Sequence, residues 1–244
     1  PASFPFGIAI ELEVLARCDD GSPIAANRGD RARDRSGSGG MLQMFADALW
    51  LQPKEFTQDY LASLCIALAQ IDTDAVQEAI QMLRAVRDAG GTVFVAGNGG
   101  SAATASHWVN DLGKATKRSG RQPIRVMGLT DNVSWMTALG NDEGYERIFA
   151  GQMENFAKPG DVLIVISASG NSLNLVRAVE LARERKVATI GIVGFDGGTL
   201  KELVDQSVWV RSEKGTYELV EDAHAAICHA ITRYLVADRP ERGQ

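Results

Sequence analysis

The segment VLIVISASGNS, residues 162–172, combines the two features that decide the fold of this chain. Its first five residues are apolar and mostly β-branched, which favours a strand buried on both faces. The remaining residues, Ser167–Ser172, are small and polar, and an amphipathic helical pattern follows them over Asn171–Arg185. A polar turn between a buried strand and a helix N-terminus predicts one βα unit of a parallel sheet.

The same strand–turn–helix rhythm recurs along the chain. The other candidate strands are Thr92–Ala96, Ile124–Gly128, Ala188–Val193 and Ser207–Val210. Amphipathic segments follow or separate them: Ala102–Leu112, Val133–Ala138, Tyr145–Phe156 and a closing helix, Thr216–Ala237. Two further helices are predicted within residues 53–89, the second capped by Asp72 or Thr73 and ended by Gly90-Gly91. The pattern predicts an α/β fold with a parallel sheet covered by helices on both faces.

We expect a single domain over residues 41–240, with the sheet and closing helix in residues 92–237. Residues 1–40 differ in composition, and the stretch Arg28–Gly40 (RGDRARDRSGSGG) alternates charges with Ser and Gly without an apolar period. Such a composition predicts a flexible segment or an extension. The alternative is an arm that packs on a neighbour, in which Phe6–Leu15 forms a strand or short helix.

Composition excludes several classes of protein. The 25 basic and 31 acidic side chains give a net charge of −6, which lacks the electrostatic footprint of a nucleic-acid-binding protein. The apolar runs are far shorter than the roughly 18–20 residues of a membrane span, and we find no signal peptide. The three cysteines, Cys18, Cys65 and Cys228, are widely separated, which fits a reducing compartment. We therefore expect a cytoplasmic protein.

Two turns are candidate ligand sites. Gly97-Asn98-Gly99-Gly100-Ser101 follows the first strand and precedes a helix, and its glycines allow a ligand to approach the backbone closely. Ser167–Ser172 places three hydroxyls at another helix N-terminus, a suitable seat for a phosphate dianion. The alternative for the first turn is a simple tight connection between strand and helix, without a ligand. The alternative for the second turn is a helix N-cap, which needs only one of its residues. Ligands of open α/β sheets bind at this edge.

The three histidines of the chain fall in two predicted helices. His107 and Asp111 are spaced i, i+4 and share a helix face, where they could bind a divalent metal or act as a base with its partner. A surface pair is the alternative. Glu221 and His229 lie eight residues apart on the closing helix, with His224 between them.

The two turns, together with Gly140-Asn141-Asp142 and Asp196-Gly197-Gly198, resemble the SIS (sugar isomerase) domain in its phosphoheptose isomerase branch. The resemblance covers about residues 45–237. It implies a flavodoxin-like, three-layer fold with a five-stranded parallel sheet and an N-terminal helical pair. It also implies a homotetramer with active sites at subunit contacts, and isomerisation of a seven-carbon ketose phosphate, sedoheptulose 7-phosphate, to an aldose.

The resemblance also implies the roles of individual residues. Ser167, Ser169 and Ser172 would bind the phosphate, with Ala168 in the same turn. The sugar would lie among Asn98, Gly99, Ser101, Asp142 and Glu221. Asp111 would be the catalytic base and His229 the acid, passing protons through an enediolate. The same family positions can hold zinc, here His107, Asp111, Glu221 and His229.

Three departures from the family pattern bear on the substrate more than on the fold. Asp111 stands where the family usually has Glu, and Glu221 stands where it usually has Gln. Ala115 occupies the position of a usual Arg, with Lys114 and Lys117 nearby. The alternatives to an isomerase are a non-catalytic SIS protein resembling the DnaA initiator-associating protein, and a sugar-phosphate-sensing module. His229, typically lost in the former branch, favours the enzyme.

Overall fold

The computed structural model describes residues 52–238, so the predictions for residues 1–40 lie outside the described residues. The chain divides into two compact units, Pro1–Asp59 and Tyr60–Gln244. In the first unit only the start of helix α1 is described. The sheet and all candidate site residues belong to the second unit.

Five parallel strands form one sheet in the order β2-β1-β3-β4-β5. Their bounds are Thr92–Gly97, Arg125–Gly128, Val162–Ser167, Ala188–Val193 and Gln206–Trp209 for β1 to β5. All five predicted strands are confirmed. The predicted ends of β1, β2 and β5 are displaced by one residue. The chain order reverses between β1 and β3, so this fold has its topological switch point at their carboxyl ends.

The described part of the chain contains eight α-helices. They are α1 Pro53–Ala69, α2 Thr73–Asp88, α3 Gly100–Lys114, α4 Val133–Asp142, α5 Ala150–Met153, α6 Leu173–Glu184, α7 Gly198–Leu203 and α8 Tyr217–Ala237. Short 3₁₀ helices cover Ala115–Ser119 and Tyr145–Arg147. Asp72 caps α2 as predicted: its carboxylate accepts hydrogen bonds from the Asp74 and Ala75 amides.

Two predictions of helices were wrong. The expected helix Tyr145–Phe156 is broken into a 3₁₀ turn and the four-residue α5. The prediction rested on an amphipathic pattern with one solvated face, whereas every residue from Ile148 to Met153 is buried. Helix α7 was not predicted, since Gly197 and Gly198 at its start are typical of a loop.

Each face of the sheet carries its own apolar core. Alternate residues of a strand point to opposite faces, so Val93 and Val95 pack with α2, α3 and α8, whereas Phe94 and Ala96 pack with α4–α7. Helices α3 and α8 therefore lie on one face, and α6 lies on the other. Among the described residues, no helix is both long and apolar enough to cross a membrane.

Candidate active site

The serine turn, Ser167–Ser172, joins β3 to α6 at the switch point. The Ser167 hydroxyl accepts a hydrogen bond from the Gly170 amide at 3.0 Å, and Ser169 accepts one from the Asn171 amide at 3.3 Å. Ser172 is the N-cap of α6 and makes no side-chain cap bond. A hydroxyl that accepts still has its own O–H to donate. The turn therefore presents hydroxyl donors and the first amides of α6, a suitable arrangement for an anion.

Contacts with the following βα loop hold the serine turn in place. Gly170 has φ = +64°, and a Cβ there would overlap the Gly197 carbonyl oxygen, so only glycine fits. The Leu200 amide donates to the Gly170 carbonyl at 2.9 Å. The Asn171 carboxamide oxygen accepts from both the amide and the hydroxyl of Thr199, at 2.9 and 3.0 Å. These bonds fix the backbone on which the hydroxyls depend.

Ala168 is buried in a small cluster with Phe195 and Val220. Its side chain packs inward, so only its backbone remains to meet a ligand. Ser101, in the first turn of α3, is also buried, with 5% of its surface exposed. Its backbone lies so close to Gly97 that a Cβ at residue 97 would overlap the Ser101 carbonyl. We infer that both residues shape the turns through the backbone.

The first turn is tied to the second by a pair of asparagine side chains. Asn98 and Asn174 exchange two amide hydrogen bonds, each 2.9 Å long. The Asn174 oxygen also accepts from the Leu175 amide at 2.9 Å, and the Tyr145 hydroxyl donates to the Asn98 oxygen at 3.0 Å. Asn174 is buried on α6 and was not predicted as a site residue. Gly99 follows at φ = +54°, a conformation that glycine adopts readily.

Glu221 occupies the space beside the N-terminus of α3. A Cβ on Gly100 would overlap the Glu221 carboxylate, so the glycine makes room for it. Burial raises the pKa of Glu221, and repulsion from Glu218 and Asp222 raises it further. Asp222 accepts a hydrogen bond of 2.6 Å from Tyr60, and burial together with this bond raises the pKa of Tyr60 to about 12. The N-terminus of α3, at the first turn, therefore already faces the carboxylate of Glu221.

His107, Asp111 and His229 converge from α3 and α8. The His107 and His229 Nε2 atoms lie 3.4 Å apart, and they lie 3.5 and 3.7 Å from the Asp111 Oδ2 atom. The two imidazoles are about half exposed, whereas 21% of the Asp111 side chain is exposed. The i, i+4 spacing brings His107 beside Asp111, and the packing of α8 on α3 brings His229 to both.

This cluster fits a zinc ion. With zinc–ligand bonds of about 2.0–2.2 Å and tetrahedral angles, neighbouring donor atoms lie about 3.4 Å apart. The three separations in the cluster, 3.4, 3.5 and 3.7 Å, are close to that value. Three protein ligands and one open position are also typical of a catalytic zinc site. The side chain of Asp111 is shorter than that of the Glu usual in the family, but its carboxylate still lies at the spacing of zinc ligands from both histidines.

The expected fourth ligand, Glu221, is not part of this cluster. The described residues that could share a metal ion there are His107, Asp111 and His229. Glu221 precedes His229 by eight residues on α8, which separates their backbones by about 12 Å along the helix axis. Its carboxylate instead faces Gly100, so within one chain the four expected ligands do not assemble.

A cavity of about 190 Å³ lies at the cluster, lined by Ala103, Thr104, His107, Trp108, Asp111, Ala225, Cys228 and His229. Burial raises the pKa of the Cys228 thiol far above its usual range, so the thiol stays protonated and is a poor metal ligand. The Trp108 indole N–H donates to the Thr232 hydroxyl at 3.1 Å, which anchors α8 to α3 behind the cluster.

The remaining predicted residues lie elsewhere. Asp142 is exposed at the end of α4, where it accepts a hydrogen bond of 2.7 Å from Asn141. Its hydrogen bonds within the described residues do not reach the serine turn or the histidines. His224 is 1% exposed, and burial lowers its pKa to about 4. It points into the core and takes no part in the cluster.

The strand order and the two turns at the switch point define a doubly wound α/β protein, a class whose ligands bind at the carboxyl edge of the sheet. The model of the SIS domain family matches residues 57–194. The chain belongs to the SIS domain family, in its phosphoheptose isomerase branch.

The chain is similar to known proteins in both sequence and fold. The chain is 41% identical to the phosphoheptose isomerase of Rhodospirillum rubrum over 158 residues, which are 64% of this chain and 82% of that one. It is 35% identical to the probable phosphoheptose isomerase of Thermoplasma volcanium, over 71% of this chain and 87% of that one. The structure of phosphoheptose isomerase from Neisseria gonorrhoeae matches with a TM-score of 0.66 and 27% identity, over 80% of this chain and 98% of that one.

Proposed function

We propose that this chain converts sedoheptulose 7-phosphate into a heptose 7-phosphate. Its family and the names of its relatives make it a sugar-phosphate isomerase. The observation that carries the finer proposal is the convergence of His107, Asp111 and His229 from two helices. A carboxylate between two imidazoles supplies the base and the acid that a ketose–aldose isomerisation needs.

The substrate phosphate would bind at the serine turn rather than at the first turn. Both turns offer a helix N-terminus, but the first faces the Glu221 carboxylate, which would repel a dianion. The serine turn offers the hydroxyls of Ser167, Ser169 and Ser172 without a carboxylate among its own residues. Binding energy gained at the phosphate would then help to position the reacting carbons, which lie at the other end of the sugar.

The chain's own residues would move two protons. Asp111 removes the proton from the carbon beside the carbonyl group, which gives an enediolate. His229 exchanges a proton with the oxygens, and the proton is returned to the neighbouring carbon. His107, 3.5 Å from Asp111, holds the carboxylate in place. Zinc, if held by His107, Asp111 and His229, would act as a Lewis acid toward the substrate oxygens in place of the His229 proton, and Asp111 would then act as base through its other carboxylate oxygen.

We also propose that the active site is completed between copies of the chain, as in a homotetramer. Helix α3 rises about 10 Å from the first turn to His107 and about 16 Å to Asp111, so one copy holds the first turn and the cluster well apart. Exposed apolar side chains on α1, Leu61 and Ile66 at 54% and 46%, are suited to contact with another copy. We expect the enzyme to act in the cytoplasm, where its free Cys65 and Cys228 stay reduced.

The test is turnover of sedoheptulose 7-phosphate by the purified chain, with and without added zinc. We expect Asp111→Asn and His229→Ala each to lower kcat by about 10²–10⁴-fold, the usual contribution of acid–base groups. Asp74→Asn, an exposed carboxylate on α2, is the matched control and should leave turnover unchanged.

The proposal fails if the wild-type chain shows no turnover under any of these conditions and the variants behave alike. A non-catalytic role, such as that of the DnaA initiator-associating branch, would then be the better account. Turnover with full activity in both variants would keep the isomerase but refute the assignment of base and acid.

A further inference from the structure

A second cavity, of about 250 Å³, lies beyond the carboxyl ends of β4 and β5. Its lining residues are Phe195, Asp196, Trp209, Arg211, Ser212 and Lys214. None of them belongs to the serine turn or to the histidine cluster. The cavity is therefore separate from the proposed active site, and the isomerase mechanism gives it no role.

Two cations of the cavity have no carboxylate partner in the described part of the chain. Arg211 and Lys214 are both exposed, and they come from the loop that follows β5. The guanidinium of Arg211 lies 5.7 Å from the centre of the Trp209 ring, near enough for the ring to attract it. The carboxylate in the lining, Asp196, accepts a hydrogen bond of 3.2 Å from the Gly198 amide. Glu213, also exposed, lies between the two cations in sequence.

The hydroxyl of Ser212 is an independent sign of a missing ligand. Its oxygen is buried and has no hydrogen-bond partner in the structure. Buried polar atoms nearly always have a partner, and leaving one unpaired is costly. Ser212 lines the cavity, and a rotation about its χ1 angle would turn the hydroxyl toward an anion that Arg211 and Lys214 attract.

The remaining walls are aromatic. The Trp209 indole N–H donates to the Phe195 carbonyl at 3.0 Å, which fixes the ring at the base of the cavity. Lys201 lies 3.9 Å from the centre of the same ring, and its ammonium group also pairs with the Glu202 carboxylate at 3.9 Å, so it adds little net charge to the cavity. A phosphate ion would fill only part of the cavity, so the partly exposed ring of Trp209 is left for an organic group.

We propose that this cavity binds a phosphate group, free or as the phosphomonoester of a small organic molecule, outside the active site. Arg211 and Lys214 pair with its oxygens, and the Ser212 hydroxyl donates to it. The organic group, where there is one, packs on Trp209. Phe195 and Asp196 belong to the segment that follows β4, and Thr199 and Leu200 of the same segment form hydrogen bonds with the serine turn. An occupant of the cavity would therefore contact the segment that holds the proposed substrate-phosphate site in place.

The test is isothermal titration of the full chain with inorganic phosphate and, separately, with glucose 6-phosphate, at constant ionic strength. We expect the double variant Arg211→Gln/Lys214→Gln to lose one binding event or to weaken it by about tenfold or more. Ser212→Ala should weaken the same event to a smaller extent. The control, Lys158→Gln/Arg177→Gln, removes two exposed positive charges elsewhere and should bind as the wild type does.

The outcomes separate this proposal from the active-site proposal. If the serine turn does not bind phosphate, the wild type has one event and the double variant has none. Tighter binding of glucose 6-phosphate assigns the cavity to a phosphomonoester, and equal binding assigns it to the phosphate group alone. Binding to the Arg211→Gln/Lys214→Gln variant with the wild-type number of events and affinity would overturn the proposal.

Discussion

Acidification should destabilise this protein through His224, and replacing that residue should remove this contribution. The His224 side chain lies on α8 with 1% of its surface exposed, and neither ring nitrogen has a hydrogen-bond partner among residues 52–238. Burial lowers its pKa to about 4, although the nearby Val193 carbonyl favours the charged form slightly. The unfolded chain, in contrast, protonates this imidazole near pH 6.5.

The sign and size of the effect follow from these two pKa values. A group whose pKa falls on folding stabilises the folded state above its unfolded pKa, and that stability is lost as the pH falls toward the folded pKa. The full difference corresponds to about 3 kcal/mol, of which about 2 kcal/mol would be lost between pH 7 and pH 5. Below pH 4 the residue contributes no further change.

The assay is urea unfolding of the wild type and of His224→Leu at several pH values from 7.5 to 4.5. Leucine keeps an apolar side chain in the core and cannot take up a proton. The difference between the two unfolding free energies isolates residue 224, because every other residue is the same in both proteins. We expect the wild type to lose about 2 kcal/mol more than the variant between pH 7 and pH 5. Parallel curves over this range would refute the reasoning.

Three further substitutions test the packing around the site. Gly100→Ala should change the unfolding free energy by less than about 1 kcal/mol but displace the Glu221 carboxylate. Because a shift of about 1 Å at a group that contacts the substrate can cost a hundredfold in rate, we expect steady-state assays to show kcat/KM lowered by up to about that factor. Asn174→Ala should lower the free energy of unfolding in urea by about 1–3 kcal/mol and raise the KM for the sugar phosphate, because the side-chain carboxamide of Asn98, in the first turn, loses its partner. Thr232→Val should also cost about 1–3 kcal/mol, since it leaves the buried Trp108 indole N–H without its acceptor, and an unchanged melting curve would contradict that role.

Local patterns predicted the elements that depend on local causes. The strands were found because Val162–Ile166 and its counterparts are short β-branched runs bounded by turn residues. The pairing of His107 with Asp111 follows from the geometry of one helix. Helix α7 was missed because two glycines begin it, and the tertiary contacts of its residues Thr199 and Leu200 with the serine turn could not be read from the sequence.

Contacts between distant residues could not be predicted in the same way. The approach of His229 to His107 spans 122 residues and depends on how α8 packs on α3. The pair Asn98 and Asn174 spans 76 residues, and on sequence alone Asn174 is an unremarkable residue in the first turn of a helix. The position of Glu221 was predicted only through family resemblance, and the structure places it beside Gly100.

The asparagine pair also suggests how binding at the phosphate could serve chemistry at the other end of a sugar. Asn98 immediately precedes the turn into α3, on one face of the sheet, whereas Asn174 lies in α6 on the other face. Their two hydrogen bonds therefore connect the helix that begins at the serine turn with the helix that carries His107 and Asp111. A phosphate at the serine turn would therefore also restrain the first turn of the same copy. Under the proposal that the histidine cluster of another copy completes the site, this remote binding energy would act by holding the sugar against that cluster.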